Sequence, residues 1–397
     1  MLETDPIRIE KIRLKQLNNF AADVLKKPAF KKVAPITLAR ALSQAKNPYA
    51  HPEDVVLLVA YQGKDCVGYH GLLPGRLELN GQFSKVFWAT AFFVSPEIRG
   101  KGVGKRLLSE IKELNIDFAV TGMTRGAKET YKRMHFQPLG SLSYYQLRVE
   151  KFQVFAPLFR SICAFLEKQN PEAKQRLSMI NRWEARLYWL IKTYFYKIAL
   201  RGFSATETCA EYAEVNQINQ RQSNAPASLS KPSGYAAFCR GTETVNWMIS
   251  YPWVFSSGKI RTEVDNYYFS TRRDIFKYVA LEIFSPDKRS FKGYLILSIS
   301  RKKSKTVVKI LDARLRNPED RRIAAFLGLK YGAEYLADRI DIPEEFATGF
   351  KNRTLSAHLL KRQTRLFMFC PKQTNSPLAI SKGRIVLNYC DGDTAFT

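Results

Sequence analysis

Residues 94–108 read VSPEIRGKGVGKRLL, with three glycines and four basic residues packed into a short junction. Ahead of it runs an apolar stretch, VFWATAFFV (86–94). Behind it Val103, Leu107, Leu108, Ile111 and Leu114 recur at helical spacing. A strand that becomes a helix this abruptly leaves unpaired N–H groups at the helix N terminus. Their partial positive charge attracts anions. Glycine lets the backbone approach a phosphate closely and adopt dihedrals closed to other residues. Arg99, Gly102 and Gly104 give the spacing R-x-x-G-x-G. Counting excludes two other phosphate motifs. The P-loop needs G-x-x-x-x-G-K-S/T, but Gly100 to Gly104 is one residue short and Arg106 follows Lys105. The dinucleotide fingerprint G-x-G-x-x-G fails because Lys105 occupies its third glycine position.

Working outward, VVLLVAY (55–61) and CVGYHGLL (66–73) read as strands around the turn QGKD, and strand 86–94 follows a turn at Asn80-Gly81. After helix 103–114 come a buried-type strand, DFAVTGM (117–123), a helix, AKETYKRM (127–134), and a strand, SLSYYQLRV (141–149). With a helical N-terminal segment in front, this order predicts an α/β domain over residues 1–150. Residues 151–202 predict a helical linker of two helices, KFQVFAPLFRSICAFLEKQ (151–169) and NRWEARLYWLIKTYFYKIAL (181–200). The second is apolar around much of its girth, with Lys192 and Lys197 interrupting it. It packs between domains or lies in a membrane interface.

A polar loop is expected over 219–234. Strands then resume at 259–269, 275–284, 293–302 and 306–315, followed by a helix opened by Asn317 and Pro318. Strands at 367–370 and 384–389 finish the chain. Strands, a strand–helix junction and further strands repeat the order of the first half. Residues 203–397 are therefore expected to form a second α/β domain related to the first.

At 397 residues the chain exceeds one ordinary core, which fits two domains. The net charge is +27, shared between residues 1–150 (23 basic, 14 acidic) and the remainder (40 basic, 22 acidic). Spread positive charge favours anionic partners in general, from nucleotide cofactors to membranes and RNA, without choosing among them. No run reaches 18 apolar residues, so no transmembrane span is expected. The N terminus has no apolar signal core, and a cytoplasmic placement is expected. The six cysteines (Cys66, Cys163, Cys209, Cys239, Cys370, Cys390) form no C-x-x-C pair. They read as reduced thiols, with neither a metal site nor a disulfide framework.

The stretch 94–108 resembles motif A of the GNAT superfamily of acyl-CoA-dependent N-acyltransferases, whose core is Gln/Arg-x-x-Gly-x-Gly/Ala. AKETYKRMHF (127–136) is similar to the same family's A-x-x-x-Y-x-K-x-G-F helix, with Ala127, Tyr131 and Phe136 in register. His135 stands where glycine is usual and Arg133 where lysine is common. The resemblance implies a GNAT-like mixed sheet flanked by helices. It implies acetyl-CoA or another acyl-CoA as co-substrate, held at its pyrophosphate by Val94, Arg99, Gly100, Lys101, Gly102, Val103, Gly104 and Lys105, with Arg106 as a helper. It also implies that the thioester lies along strand 86–94.

Acyl transfer to an amine needs a route for the amine's proton and a way to neutralise the departing thiolate. Tyr131 matches the family tyrosine that donates to that thiolate; the alternative is a packing aromatic. For the base, strand 86–94 carries no carboxylate. His70 and Glu78 are the nearest titratable candidates, Glu97 reads as a partner of Arg99 or a loop cap, and a water chain would also serve.

In the second half the corresponding junction, DARLRNPEDRRIAAF, has no glycine in its turn and carries Glu319 and Asp320 in the first helical turn. Those carboxylates would repel a pyrophosphate. FCRGTETVNWMISYPW (238–253) and the terminal DGDTAF are similar to tandem GNAT-like proteins of surface polysaccharide synthesis. An amino-sugar acceptor follows as an expectation. An aminoacyl or peptidyl transferase of tandem type, and a non-enzymatic protein bound to anionic membrane or RNA, are the alternatives. For an enzyme, nucleic acid is not an expected partner, and attachment at the inner membrane face is compatible with the charge.

Overall fold

The computed structural model describes residues 6–152, 174–203, 210–218, 234–256, 266–269, 272–351 and 358–396. Most of the helix expected over 151–169, of the loop over 219–234 and of the strand over 259–269, with Cys163 and Cys209, lie outside them. The chain divides into two compact units. One is Met1–Leu142 with Val215–Phe276 and Thr364–Thr397; the other is Ser143–Glu214 with Lys277–Gln363. Each is thus assembled from separate stretches, where the sequence reading placed linear blocks at 1–150, 151–202 and 203–397.

In the first unit, β1 (Ile7–Arg13) precedes α1 (Leu14–Val24) and α2 (Leu38–Ala45). The N-terminal segment was expected to be helical, yet Ile7 and Ile9 alternate with Arg8 and Glu10. That period of two lets β1 pair antiparallel with β2 (Val55–Gln62). β3 (Asp65–Leu79) and β4 (Gln82–Val94) complete an antiparallel meander. Asn80 and Gly81 both take positive φ, 52° and 79°, as a two-residue hairpin requires. α3 (Val103–Glu113) then crosses over to β5 (Phe118–Thr121), which lies parallel to β4. α4 (Arg125–Arg133) follows. Val103, Leu107, Leu108 and Ile111 bury one face of α3 against Leu58, Leu72, Phe87 and Phe118. Each such leucine contributes about 2 kcal/mol, enough to fix where the helix begins.

The other edge of β5 is covered by Phe367–Cys370, running antiparallel. Ala236–Phe238 pairs with the end of β3, and Ile385–Val386 pairs in turn with Ala236–Ala237. The sheet of the first unit is therefore finished by strands from late in the chain.

The second unit repeats the order of the first. Strands Phe291–Lys302 and Lys305–Leu315 form an antiparallel hairpin, helix Arg321–Glu334 crosses over, and Arg339–Pro343 lies parallel to Lys305–Leu315. Both units thus have a mixed sheet with a strand–helix–parallel-strand junction. Helix Lys174–Arg201 packs Phe195, Tyr196 and Ala199 into the second unit's core. Lys192 is buried there, its Nζ donating to Asp338 Oδ1 at 3.0 Å while Tyr188 donates to the same oxygen at 2.6 Å. The opposite face leaves Leu187, Trp189, Leu190 and Tyr194 more than half exposed. Among the described residues no helix is long and apolar enough to cross a membrane.

Candidate active site

The junction quoted at the outset folds as a short 3-10 turn, Pro96–Ile98, an exposed loop over 99–102, and then α3. Gly100 and Gly102 have φ of 86° and 79°, in the left-handed region that costs a Cβ-bearing residue about 1–2 kcal/mol. A Cβ added at either would meet nothing within 4 Å, so the glycines answer to backbone conformation and to open space in front of the helix. Gly104 is different: a Cβ there would lie 3.2 Å from the Phe92 ring.

Gly102 is the N-cap of α3, no side chain caps that end, and the first turn holds no acid. The amides of the first helical turn, Val103, Gly104 and Lys105, therefore open onto a patch where Lys101, Lys105 and Arg106 are exposed. Arg99 turns its Nε to the Val94 carbonyl at 3.3 Å, bracing the loop on the end of β4. The structure gathers Val94 and residues 99–105 at one place, a basic cradle around the uncapped amides of α3.

Beside this cradle β4 parts from β5. Their ladder holds two residue pairs, Phe87 with Phe118 and Trp88 with Ala119. From Ala89 onward β4 is paired along β3, and its register shifts opposite Tyr69–Gly71. Ala91 absorbs the shift with φ of 49°. The bulge aims Phe92 between the helix N terminus and two groups the sequence singled out. His70 stacks on Phe92 with ring centroids 4.8 Å apart, and Tyr131 meets it edge-on at 5.8 Å.

His70 and Tyr131 come from β3 and α4 and touch directly. The His70 ring is fully buried, and Nδ1 lies 2.9 Å from the Gly71 carbonyl oxygen, which only an N–H can satisfy. Nε2 is thus the bare nitrogen, and it accepts the Tyr131 hydroxyl at 2.7 Å. Burial pushes the imidazole down to about 4, so it is neutral near pH 7. Burial, with the Asp393 carboxylate adding to it, pushes the Tyr131 phenol well above its ordinary range. Both groups are poor proton stores at neutral pH, and the tyrosine's single proton already points at His70. Glu78 lies eight residues further along β3, roughly 26 Å at strand rise.

His135, which departs from the family's glycine, has φ of 60° just past α4. Phe136 N–H donates to the Tyr131 carbonyl at 3.1 Å and His135 N–H to that of Lys132 at 2.9 Å. The Phe136 and Tyr131 rings also pack at 4.9 Å. This is a left-handed helix stop with its hydrophobic clasp, which explains why glycine suits the position.

Three residues near the strand opening were not singled out from sequence. Arg40 on α2 is 6% exposed, and Trp253 and Asp393 lie close to it. The available signal was the pair of stretches 238–253 and DGDTAF, which contain Trp253 and Asp393 but not Arg40. Among the described residues no group of three histidine, cysteine, aspartate or glutamate side chains is placed to hold a metal ion.

A basic, glycine-lined helix N terminus thus lies beside a bulged strand that splays from its neighbour, the arrangement that the resemblance of residues 94–108 implied. Residues 53–138 match the family model described as Acetyltransferase (GNAT) domain. Residues 53–138 of the first unit accordingly carry a GNAT-type domain, a family whose donor is an acyl-CoA.

Among solved structures, the chain is similar to Saccharomyces cerevisiae N-myristoyltransferase with bound myristoyl-CoA and inhibitors. The TM-score is 0.51 at 10% identity, covering 98% of this chain and 87% of that one. That likeness speaks to the fold. A GCN5-related N-acetyltransferase from Anabaena variabilis matches at TM-score 0.49 and 12% identity, over 93% of this chain and 74% of that one. A tandem GNAT protein from the clavulanic acid biosynthesis pathway matches at TM-score 0.47 and 10% identity, over 94% and 100%. No curated protein matches the sequence.

Proposed function

We propose that the protein moves an acetyl or longer acyl group from acyl-CoA to a primary amine, in the first unit, with an amino sugar as the acceptor class. The observation that carries this reading is the uncapped α3 N terminus behind Arg99, Gly100, Lys101, Gly102, Val103, Gly104 and Lys105, next to the edge that β4 frees from β5. Those residues and Val94 would hold the diphosphate, and the thioester would lie along Ala89–Val94. A new C–N bond forms at the thioester carbonyl as the C–S bond breaks. Of the two protons the ammonium sheds, one ends on the thiolate and one passes to water.

Tyr131 is the proposed donor to the sulfur. To reach it the hydroxyl must leave His70 Nε2, so His70 serves to aim that hydroxyl rather than to take the amine's proton itself. The second unit is proposed to bind no CoA. There Asp320 is buried beside the start of helix Arg321–Glu334 and bonded to Lys292 Nζ at 2.8 Å, so the place of an anion is already filled by a carboxylate.

Thiol release from acetyl- and longer acyl-CoA with amine acceptors tests the reading. Saturable release whose acyl-CoA KM rises about tenfold or more in Gly102→Asp supports it, and calorimetry showing no binding of any CoA ester refutes it.

A proposal for attachment rests on helix Lys174–Arg201. Leu187, Trp189, Leu190, Tyr194 and Ile198 are exposed together with Arg186, Lys197 and Arg201, the make-up of a helix lying in an anionic lipid interface. Flotation with vesicles containing phosphatidylglycerol, lost in Trp189→Glu/Leu190→Glu, is the expected result. Equal recovery with neutral and anionic vesicles would exclude it.

A further inference from the structure

Buried donors without acceptors each cost about 1–3 kcal/mol, which a bound acceptor would recover. Two of them lie together in the first unit. Arg40 donates from Nη1 to the Tyr267 hydroxyl at 2.8 Å, while Nη2 has no hydrogen-bond partner among the described residues. The guanidinium sits 3.8 Å over the Trp253 ring. Phe396 stacks on that ring at 4.2 Å with an interplanar angle of 15°. Both indole faces are covered, and the Nε1–H on its edge, 3% exposed as a residue, is likewise without a partner.

The nearest anion to Nη2 is Asp393 Oδ2 at 4.0 Å, beyond hydrogen-bond length. The Asp393 side chain is 24% exposed, while Arg40 Nη2 and Trp253 Nε1 are buried. Its neighbour Gly392 lies against the point where the β4–β5 ladder ends. A Cβ on it would be 3.0 Å from Thr121 and 3.5 Å from Trp88. Arg365 holds the segment there through the Tyr389 carbonyl at 2.8 Å and the Thr394 hydroxyl at 2.9 Å. The carboxylate is also close enough to Tyr131 for its charge to bear on the phenol.

We propose that Arg40, Trp253 and Asp393 form the acceptor subsite, and that the acceptor carries an anionic oxygen near its amine. The anionic group takes Arg40 Nη2 and the Trp253 edge, and the ammonium turns to the Asp393 carboxylate at the mouth of the splayed strands. This deepens the acyl-transfer reading and rests on it. An amine without an anion would leave Arg40 Nη2 without an acceptor, so it binds poorly. A phosphate and a carboxylate present the same chemistry to the site.

The test is calorimetric binding to the full chain loaded with CoA, which has no acyl group to transfer, of three probes: glucosamine, glucosamine 6-phosphate and glutamate. At least one anionic amine is expected to bind about tenfold or more tightly than glucosamine. The phosphate and carboxylate arms then tell which anion is recognised. Arg40→Gln is expected to erase that preference and Arg40→Lys to restore part of it, with acetyl-CoA affinity unchanged in both. If Arg40→Gln does not fold, the ratio among the probes on the unaltered chain decides alone. Glucosamine binding as well as or better than both anionic amines, or no anionic amine binding at all, overturns the subsite while leaving acyl-CoA binding intact. Failure to bind acetyl-CoA overturns the underlying reading as well.

Discussion

Replacing Gly102 by aspartate separates what the loop does for folding from what it does for the cofactor. Gly102 has φ of 79°, and a Cβ there meets nothing within 4 Å, so the variant faces no clash. Its left-handed backbone costs about 1 kcal/mol, less for Asp and Asn than for other residues. A carboxylate at a helix N terminus returns about 0.3–1 kcal/mol. The unfolding free energy should therefore move by less than about 1 kcal/mol. Binding is another matter. A unit charge roughly 5 Å from a diphosphate bearing about two charges costs about 1.7 kcal/mol even with water-like screening, and more as the site dries. That is at least about a tenfold loss of affinity. The assay is calorimetric titration with acetyl-CoA, using Gly102→Asn as the uncharged control of equal size. The gap between the two variants should narrow as salt is raised, because the loop is exposed. If the aspartate variant binds as tightly as the asparagine variant, the diphosphate does not sit on this helix end, and the assignment of residues 99–105 fails.

Tyr131→Phe should lower turnover about a hundredfold with the acyl-CoA KM unchanged. It should also destabilise the fold by about 1–3 kcal/mol, because His70 Nε2 loses its donor in a buried site; unchanged turnover with lowered stability would make Tyr131 a packing residue. His135→Gly should raise unfolding stability by about 0.5–1 kcal/mol in denaturant titration, since φ of 60° is relieved without loss of a backbone bond. A decrease would show that the imidazole makes a compensating contact.

The pH dependence follows from His70. Its native value of about 4 lies below the ordinary 6.5, so the unfolded chain binds the extra proton between them. Stability from this group is complete above pH 6.5 and is lost as pH falls toward 4, by about 3 kcal/mol in all. His70→Gln, whose amide can still accept from Tyr131 and donate to the Gly71 carbonyl, should flatten that limb in pH-dependent melting. An identical acid limb in both proteins would locate the loss in other groups.

Where an element is specified by neighbours in sequence, the sequence was legible. The Asn80-Gly81 hairpin, the helical spacing from Val103 to Ile111 and the Arg99–Gly104 spacing each state their own geometry within a few residues. The helix over 127–134 and the departure at His135 were legible too, but that this segment closes in a left-handed stop shows only in the φ of His135. The N-terminal strand was misread because Ile7–Arg13 has too few alternations to outweigh the helical pattern that starts right behind it, and pairing with β2 decides its state. Phe367–Cys370 reads as a strand from its own residues, but nothing local says that its partner is β5.

The sequence by itself determined a glycine-opened helix end behind a strand, a basic surround, and a tyrosine at the right distance along the chain. These follow from backbone dihedrals, spacing and charge, which act locally. Only the tertiary structure decided that His70 fixes the Tyr131 hydroxyl and that the first unit's sheet is closed by late segments. It alone brought Arg40, Trp253 and Asp393 to one place. Those are meetings between residues from about 60 to more than 300 positions apart, set by which buried surfaces and backbone edges fit one another, and no run of adjacent residues carries that information.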